Sequence, residues 1–226
     1  MSSEPVRNET LPQLVRPLWG RLGLLGRVIA VALVVALVVG VAAYVASRSQ
    51  ATERFEQEAT IDVPGFTLTY TDEMELLEPQ GSELLRLESS LDGLLAERMT
   101  VVPFAVEPGS GTIASRLALQ SVEFRRRAER RYRGYRPDFE GGTRLQGAEA
   151  YQIAFTAKYR SRRGTERALF GKIVLLPEDT PDPKRGLAIE LVATTESPLR
   201  EASALGNKSV LKQPFRSLRL LERQDD

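Results

Sequence analysis

The chain has 226 residues, with 31 Lys and Arg against 30 Asp and Glu, and a formal net charge of +1. It contains no Cys and no His. Disulfides, zinc–thiolate sites, iron–sulfur clusters, histidine metal sites and Ser-His or Cys-His catalysis are therefore excluded. The near-neutral total hides an asymmetry. Residues 51–110 carry thirteen acids against three arginines, whereas residues 111–175 carry fifteen basic residues against six acids. Such a split points to a partner or to two parts of one fold that face each other.

Residues 1–27 read as a basic tail. Leu11, Leu14, Val15, Leu18, Leu22 and Leu25 follow helical spacing, but Pro12 and Pro17 oppose a continuous helix. Val28–Ala46 then runs without a charge or a proline. At about 1.5 Å per residue it spans roughly 28 Å, the thickness of a bilayer's hydrocarbon core. This predicts a transmembrane helix over residues 28–47. The run exceeds the usual core of a signal peptide, about 7 to 15 residues, so a retained anchor is expected. Arg7, Arg16, Arg21 and Arg27 precede it, while only Arg48 and Arg54 follow closely. Positive residues favour the cytoplasmic side. The expectation is a single-pass plasma-membrane protein with the N-terminus inside, the C-terminal domain extracytoplasmic and the lipid bilayer as a partner. Ala32, Ala36 and Gly40 recur every four residues. They form a small-residue face through which two copies can self-associate as a homodimer.

Residues 48–60 read as a polar linker or stalk, and a domain is expected over 61–222, with 223–226 as a tail. Phe66–Tyr70 alternates as a strand, and Glu83–Ser89 and Leu94–Val106 follow. Pro103 in the last suggests an edge position or a bulge. Residues 72–78, "DEMELLE", read as an acidic turn or helix start. The segment "EPGSG" precedes a long helix over residues 112–133, capped by Ser110 or Thr112 and ended near Gly134. Strands return in "AYQIAFTAKYR" and "RALFGKIVLLPE", joined by the turn "SRRGT", and in Leu187–Thr195. A short helix is expected from Ser197-Pro198 to Gly206, and a second helical turn over 208–213 that Pro214 stops. "FRSLRLLE" closes the domain as extended chain.

This order predicts an α/β (α+β) fold: an N-terminal transmembrane helix, then a mainly antiparallel sheet covered by one long and one shorter helix. With "VPGFTLTYTDEM" near the start, "ASRLALQSVEFRRRAERRY" in the middle and "QPFRSLRLL" at the end, the order resembles the PsbP-like fold of small secreted or membrane-anchored envelope proteins. The resemblance covers residues 61–222. It implies accessory or binding roles and carries no shared catalytic residues. Bacterial lipoprotein members attach through a lipidated Cys. This chain has none, and the apolar span would take that part.

Residues 121–137, "SVEFRRRAERRYRGYRP", hold seven arginines. On a helix, Ile113, Ala114, Leu117, Phe124, Ala128 and Tyr132 fall on one side. Arg126, Arg130 and Arg133 fall opposite, with Arg116 and Arg127 on a flank. Glu123 with Arg127 and Glu129 with Arg133 have the favourable i,i+4 order. The segment reads as the solvated face of an amphipathic helix. In a domain tethered to a membrane, its arginines can also meet anionic lipid headgroups or an anionic wall polymer. No nucleic-acid module is recognisable, and nucleic acid is not expected as a partner.

No acid spacing singles out a catalytic pair. "PEDTPD" lacks the pattern of a calcium loop, and "GSG" reads as a cap. The expected function is a non-catalytic, membrane-anchored extracytoplasmic binding or accessory module of the cell envelope. It would use no cofactor and no metal, and an envelope protein is a candidate partner. One alternative is a carrier or sensor of a small apolar ligand held between sheet and helix. Another is a carboxylate hydrolase, which needs two acids about 5 to 10 Å apart.

Overall fold

The computed structural model describes residues 56–62, 65–160 and 164–221. The basic tail, the apolar run Val28–Ala46 and its small residues Ala32, Ala36 and Gly40 lie outside the described residues, as does part of the "SRRGT" turn. Among the described residues no helix is long and apolar enough to cross a membrane.

Phe55–Asp226 forms a compact unit of its own. Its elements are β1 (Glu56–Asp62), β2 (Gly65–Thr71), β3 (Glu75–Leu77), β4 (Leu85–Leu91), β5 (Leu94–Ala105), α1 (Ile113–Arg131), β6 (Arg133–Leu145), β7 (Ala148–Arg160), β8 (Glu166–Pro177), β9 (Arg185–Thr194), a 3-10 turn (Ala202–Ala204), α2 (Lys212–Ser217) and β10 (Arg219–Leu220). Seven strands form one sheet in the order β3-β4-β5-β9-β8-β7-β6, and β1-β2-β10 form a smaller one. Every neighbouring pair is antiparallel. The chain makes a meander of β3, β4 and β5, crosses through α1 to the far edge, and returns strand by strand until β9 lies beside β5.

Local chemistry explains these elements. Two-residue turns close the β4–β5 and β6–β7 hairpins. Asp92 (φ 53°) with Gly93 (φ 72°), and Gln146 (φ 53°) with Gly147 (φ 88°), occupy left-handed backbone at both central positions. Such turns match the twist of paired strands, and Gly takes the second position without steric cost. Thr112 caps α1, its side chain accepting from the Ser115 N–H at 3.3 Å. Leu117, Ser121, Phe124 and Ala128 form the buried stripe, spaced by four, three and four. Tyr132 then turns extended and ends the helix. Pro103 pairs with Leu187 of β9 on one side, but the β4 ladder has already stopped at Leu85↔Val101. The missing proline N–H therefore breaks no bond.

The central sheet is covered on both faces. On one side, Leu117, Phe124, Ala128 and Tyr132 pack on Ile153, Phe155, Leu169, Leu175 and Val192. On the other, Phe66, Leu68 and Tyr70 of β2, together with Leu205, Leu211 and Phe215, pack on Met99, Val101, Val174, Leu187 and Ile189. Burying each Leu or Phe stabilises by about 1.5–3 kcal/mol. Side chains of α1 and of the sheet meet directly in this layer.

Several boundaries differ from the sequence expectations. The strand β1 begins inside the segment read as a stalk. Residues 75–77 are an edge strand rather than a helix start. The helix expected from Ser197-Pro198 is reduced to the 3-10 turn, because the chain is drawn back over the sheet by buried Leu199, Ala202 and Leu205. Pro214 does not stop a helix; it lies in the first turn of α2, where its missing N–H has no intrahelical partner to lose. Phe215–Ser217 are consequently helical, and only Arg219–Leu220 are extended. The second small sheet and β6 were not expected.

Candidate functional site

The structure divides the arginine segment into separate tasks. Arg116 is buried at 8% exposure. Its guanidinium donates to the Glu107 carbonyl at 2.9 Å, Asp182 at 3.0 Å and the Pro183 carbonyl at 3.2 Å. It therefore ties the start of α1 to the loops before and after, and is no flank residue. Arg125 pairs with Glu140 of β6 at 3.4 Å. Arg127 pairs with Glu123 as expected and lies 5.3 Å over the Phe124 ring. Arg131 bridges to Glu190 of β9 at 2.8 Å.

Of the three sequence-predicted contact residues, Arg126 and Arg130 stand together, exposed and one turn apart on α1. Neither has an ion pair among the described residues. Arg133 does not join them. It is the first residue of β6, and its partner is Glu166 at 3.7 Å, beside Lys158, not Glu129. The helix ends before it, so the i,i+4 geometry with Glu129 does not exist.

Between α1 and the sheet lies a buried polar chain. The Tyr132 hydroxyl accepts from Arg98 at 3.0 Å and donates to Glu190 at 2.5 Å. Arg98 approaches Glu88 at 3.9 Å, Arg86 binds Glu88 at 2.7 Å and Glu83 at 3.4 Å, and Arg131 reaches Glu83 at 4.0 Å. Burial and the adjacent Glu190 carboxylate raise the Tyr132 pKa well above its ordinary value. Burial works against the Arg98 charge, but Tyr132, Glu190 and Glu88 outweigh it and raise its pKa. Three arginines and three glutamates are linked here, with the Arg98 Nε left without a partner among the described residues, and the chain fastens helix to strands.

On the opposite face, buried Glu97 accepts from Ser197 and Ser209, each at 2.6 Å. The cluster holds the C-terminal segment onto β5.

A polar cleft opens on that same face. It is lined by Thr143, Arg144 and Leu145 of β6, Gln152 of β7, Lys172 and Val174 of β8, and Asn207, Phe215 and Arg216, with a volume of about 70 Å³. Lys172 is 5% exposed. Its ammonium donates to the Leu205 carbonyl at 2.6 Å and the Ser203 carbonyl at 3.1 Å. Burial lowers its pKa, and the Arg216 charge lowers it further. Arg216 donates to the Asn207 side-chain carbonyl at 2.5 Å. The lining residues carry three cations and no carboxylate. Sequence reasoning missed this cleft. Its one signal was a lysine inside the apolar run "FGKIVLL".

No family model matches the chain, and no curated protein matches it. Solved structures are similar to it. One is cyanobacterial PsbP from Synechocystis, at 12% identity over 74% of this chain and 92% of that one, with a TM-score of 0.43. Another is a Ran-binding protein of Saccharomyces cerevisiae, at 13% identity over 74% and 96%, with a TM-score of 0.45. A third is LpqN of Mycobacterium tuberculosis, involved in cell envelope biogenesis, at 14% identity over 74% and 92%, with a TM-score of 0.46. A likeness of this degree transfers no ligand or activity. The PsbP-like resemblance expected from the order of elements is thus found among the solved structures that this chain is similar to.

Proposed function

We propose that the chain is a non-catalytic, membrane-anchored binding module of the cell envelope, with its α/β domain outside the plasma membrane and the Arg126–Arg130 face of α1 turned to anionic lipid headgroups. One observation carries the reading. Arg116, Arg125, Arg127, Arg131 and Arg133 are each paired with an acid, while Arg126 and Arg130 are exposed and left without one among the described residues. A helix face needs no such surplus for folding, and like charges at i,i+4 oppose it slightly. Anionic headgroups would relieve that repulsion, at about 1 kcal/mol per basic residue near the surface. Nine residues, 47–55, separate the apolar run from β1. Fully extended they reach at most about 30 Å, so a tethered domain meets the surface at high effective concentration.

The test uses the full-length protein in lipid nanodiscs, with a fluorophore on a Ser110→Cys variant and an acceptor dye in the lipid. Energy transfer should be higher in discs containing anionic lipid than in zwitterionic discs. The gain should vanish in high salt and in an Arg126→Gln/Arg130→Gln variant. Equal transfer in both kinds of disc would remove the headgroup contact.

A further inference from the structure

We propose that the cleft between β6, β7, β8 and the C-terminal segment is a binding site for one small oxyanion of the phosphate class, held by Arg144, Lys172 and Arg216. Three cations converge on a cleft of about 70 Å³, and no acid lines it. At the start of β8, by contrast, Arg133 and Lys158 have Glu166 between them. Here the partners among the described residues are neutral: two carbonyls for Lys172 and an amide oxygen for Arg216. Arg144 is exposed and has no ion pair among the described residues.

Lys172 is the costly member. Burying a lysine to 5% exposure without a counter-charge opposes folding. A fastening of the Ser203 and Leu205 carbonyls needs only neutral donors. The ammonium has three N–H groups, of which the two carbonyls occupy two. An anion in the cleft would accept the third and supply the absent negative charge. Guanidinium forks from Arg144 and Arg216 match the oxygens of a tetrahedral anion, and charge-assisted bonds of this kind are the stronger ones. Thr143, Gln152 and Asn207 line the cleft as neutral hydrogen-bonding groups. The volume suits a single oxyanion group, since sites for drug-sized ligands occupy about 300 Å³ or more. The cleft is separate from the α1 face. Val174 belongs to the core layer opposite α1, and Lys172, two residues before it in β8, points the same way.

The experiment titrates the full-length chain in detergent micelles by calorimetry, at ionic strength matched with chloride. Inorganic phosphate and glycerol phosphate are the two probes. Arg144 and Arg216 are exposed, so Arg144→Gln and Arg216→Gln should keep the fold, checked by thermal unfolding. Saturable binding of inorganic phosphate, weakened about tenfold or more in each variant, is the expected result for a free anion. Binding of the phosphomonoester alone, weakened in the same variants, assigns the cleft to a phosphate group on a larger molecule. Arg126→Gln/Arg130→Gln should bind as the parent does. No saturable binding of either probe, unchanged binding in Arg144→Gln and Arg216→Gln, or a loss in the α1 variant would overturn the proposal.

Discussion

Tyr132 and Glu190 meet hydroxyl to carboxylate at 2.5 Å, across the seam between the end of α1 and the middle of β9. The contact also orients Arg98, which donates to the same hydroxyl. Replacing Tyr132 with Phe keeps the ring against Phe155 but leaves buried Arg98 and half-buried Glu190 each short of a partner. Stability should fall by about 1–3 kcal/mol in chemical denaturation.

The same hydroxyl sets a pH dependence. Its pKa in the folded chain is raised above the ordinary value of 10.0. A raised pKa means that the folded state holds the proton longer than the unfolded state does. The contribution is therefore complete below about pH 10 and is lost as pH climbs above it. The difference between parent and Tyr132→Phe stability curves should shrink over that range. Subtraction removes the opposite trend from Lys172, whose lowered pKa favours folding as pH rises.

Phe155 occupies the space that a side chain at Gly171 would need: a Cβ built there falls 2.1 Å from the ring. Phe155 is itself stacked on Tyr135 at 5.0 Å and fully buried, so it has little room to move. Gly171→Ala should cost about 1–3 kcal/mol or more. Shrinking the ring in Gly171→Ala/Phe155→Leu should recover part of that loss in thermal unfolding.

The arginines of 116–133 should separate sharply when replaced. Arg116→Ala removes a buried side chain and leaves the Glu107 and Pro183 carbonyls without their donor, and should cost about 2 kcal/mol or more in urea unfolding. Arg126→Ala removes an exposed side chain without a partner, and stability should change by about 0.5 kcal/mol or less. Loss of the lipid-dependent energy transfer in the second variant, with the fold intact, would separate a contact role from a structural one.

The courses of β2 and β7 were legible because their faces differ. Phe66, Leu68 and Tyr70 alternate, and Phe155, Ile153 and Ala157 do likewise. The strand β6 was not, for the opposite reason. Its residues are mostly exposed, it has one neighbour, its register shifts twice, and Pro137, Asp138, Gly141 and Gly142 resemble turn chemistry. β1 is an edge strand whose sequence, "EQEATID", carries no apolar alternation. The exposed pair Arg126 and Arg130 followed from helical periodicity alone. The cleft could not, since Arg144, Lys172 and Arg216 are brought together only by strand register and the return of the C-terminal segment. Charges inside apolar runs, the adjacent Glu97 and Arg98 and the single Lys172 and Glu190, were the available sign that polar contacts had to exist there.

Topology is the measurement on which the account most depends. The natural chain has no Cys, so one introduced thiol reports without background. Ser110 lies exposed before α1 and suits the label. Intact cells expressing the full-length Ser110→Cys chain would be treated with a membrane-impermeant maleimide. The account expects labelling of intact cells, with the domain outside the plasma membrane. Labelling only after lysis would put the domain in the cytoplasm and contradict the proposed envelope role.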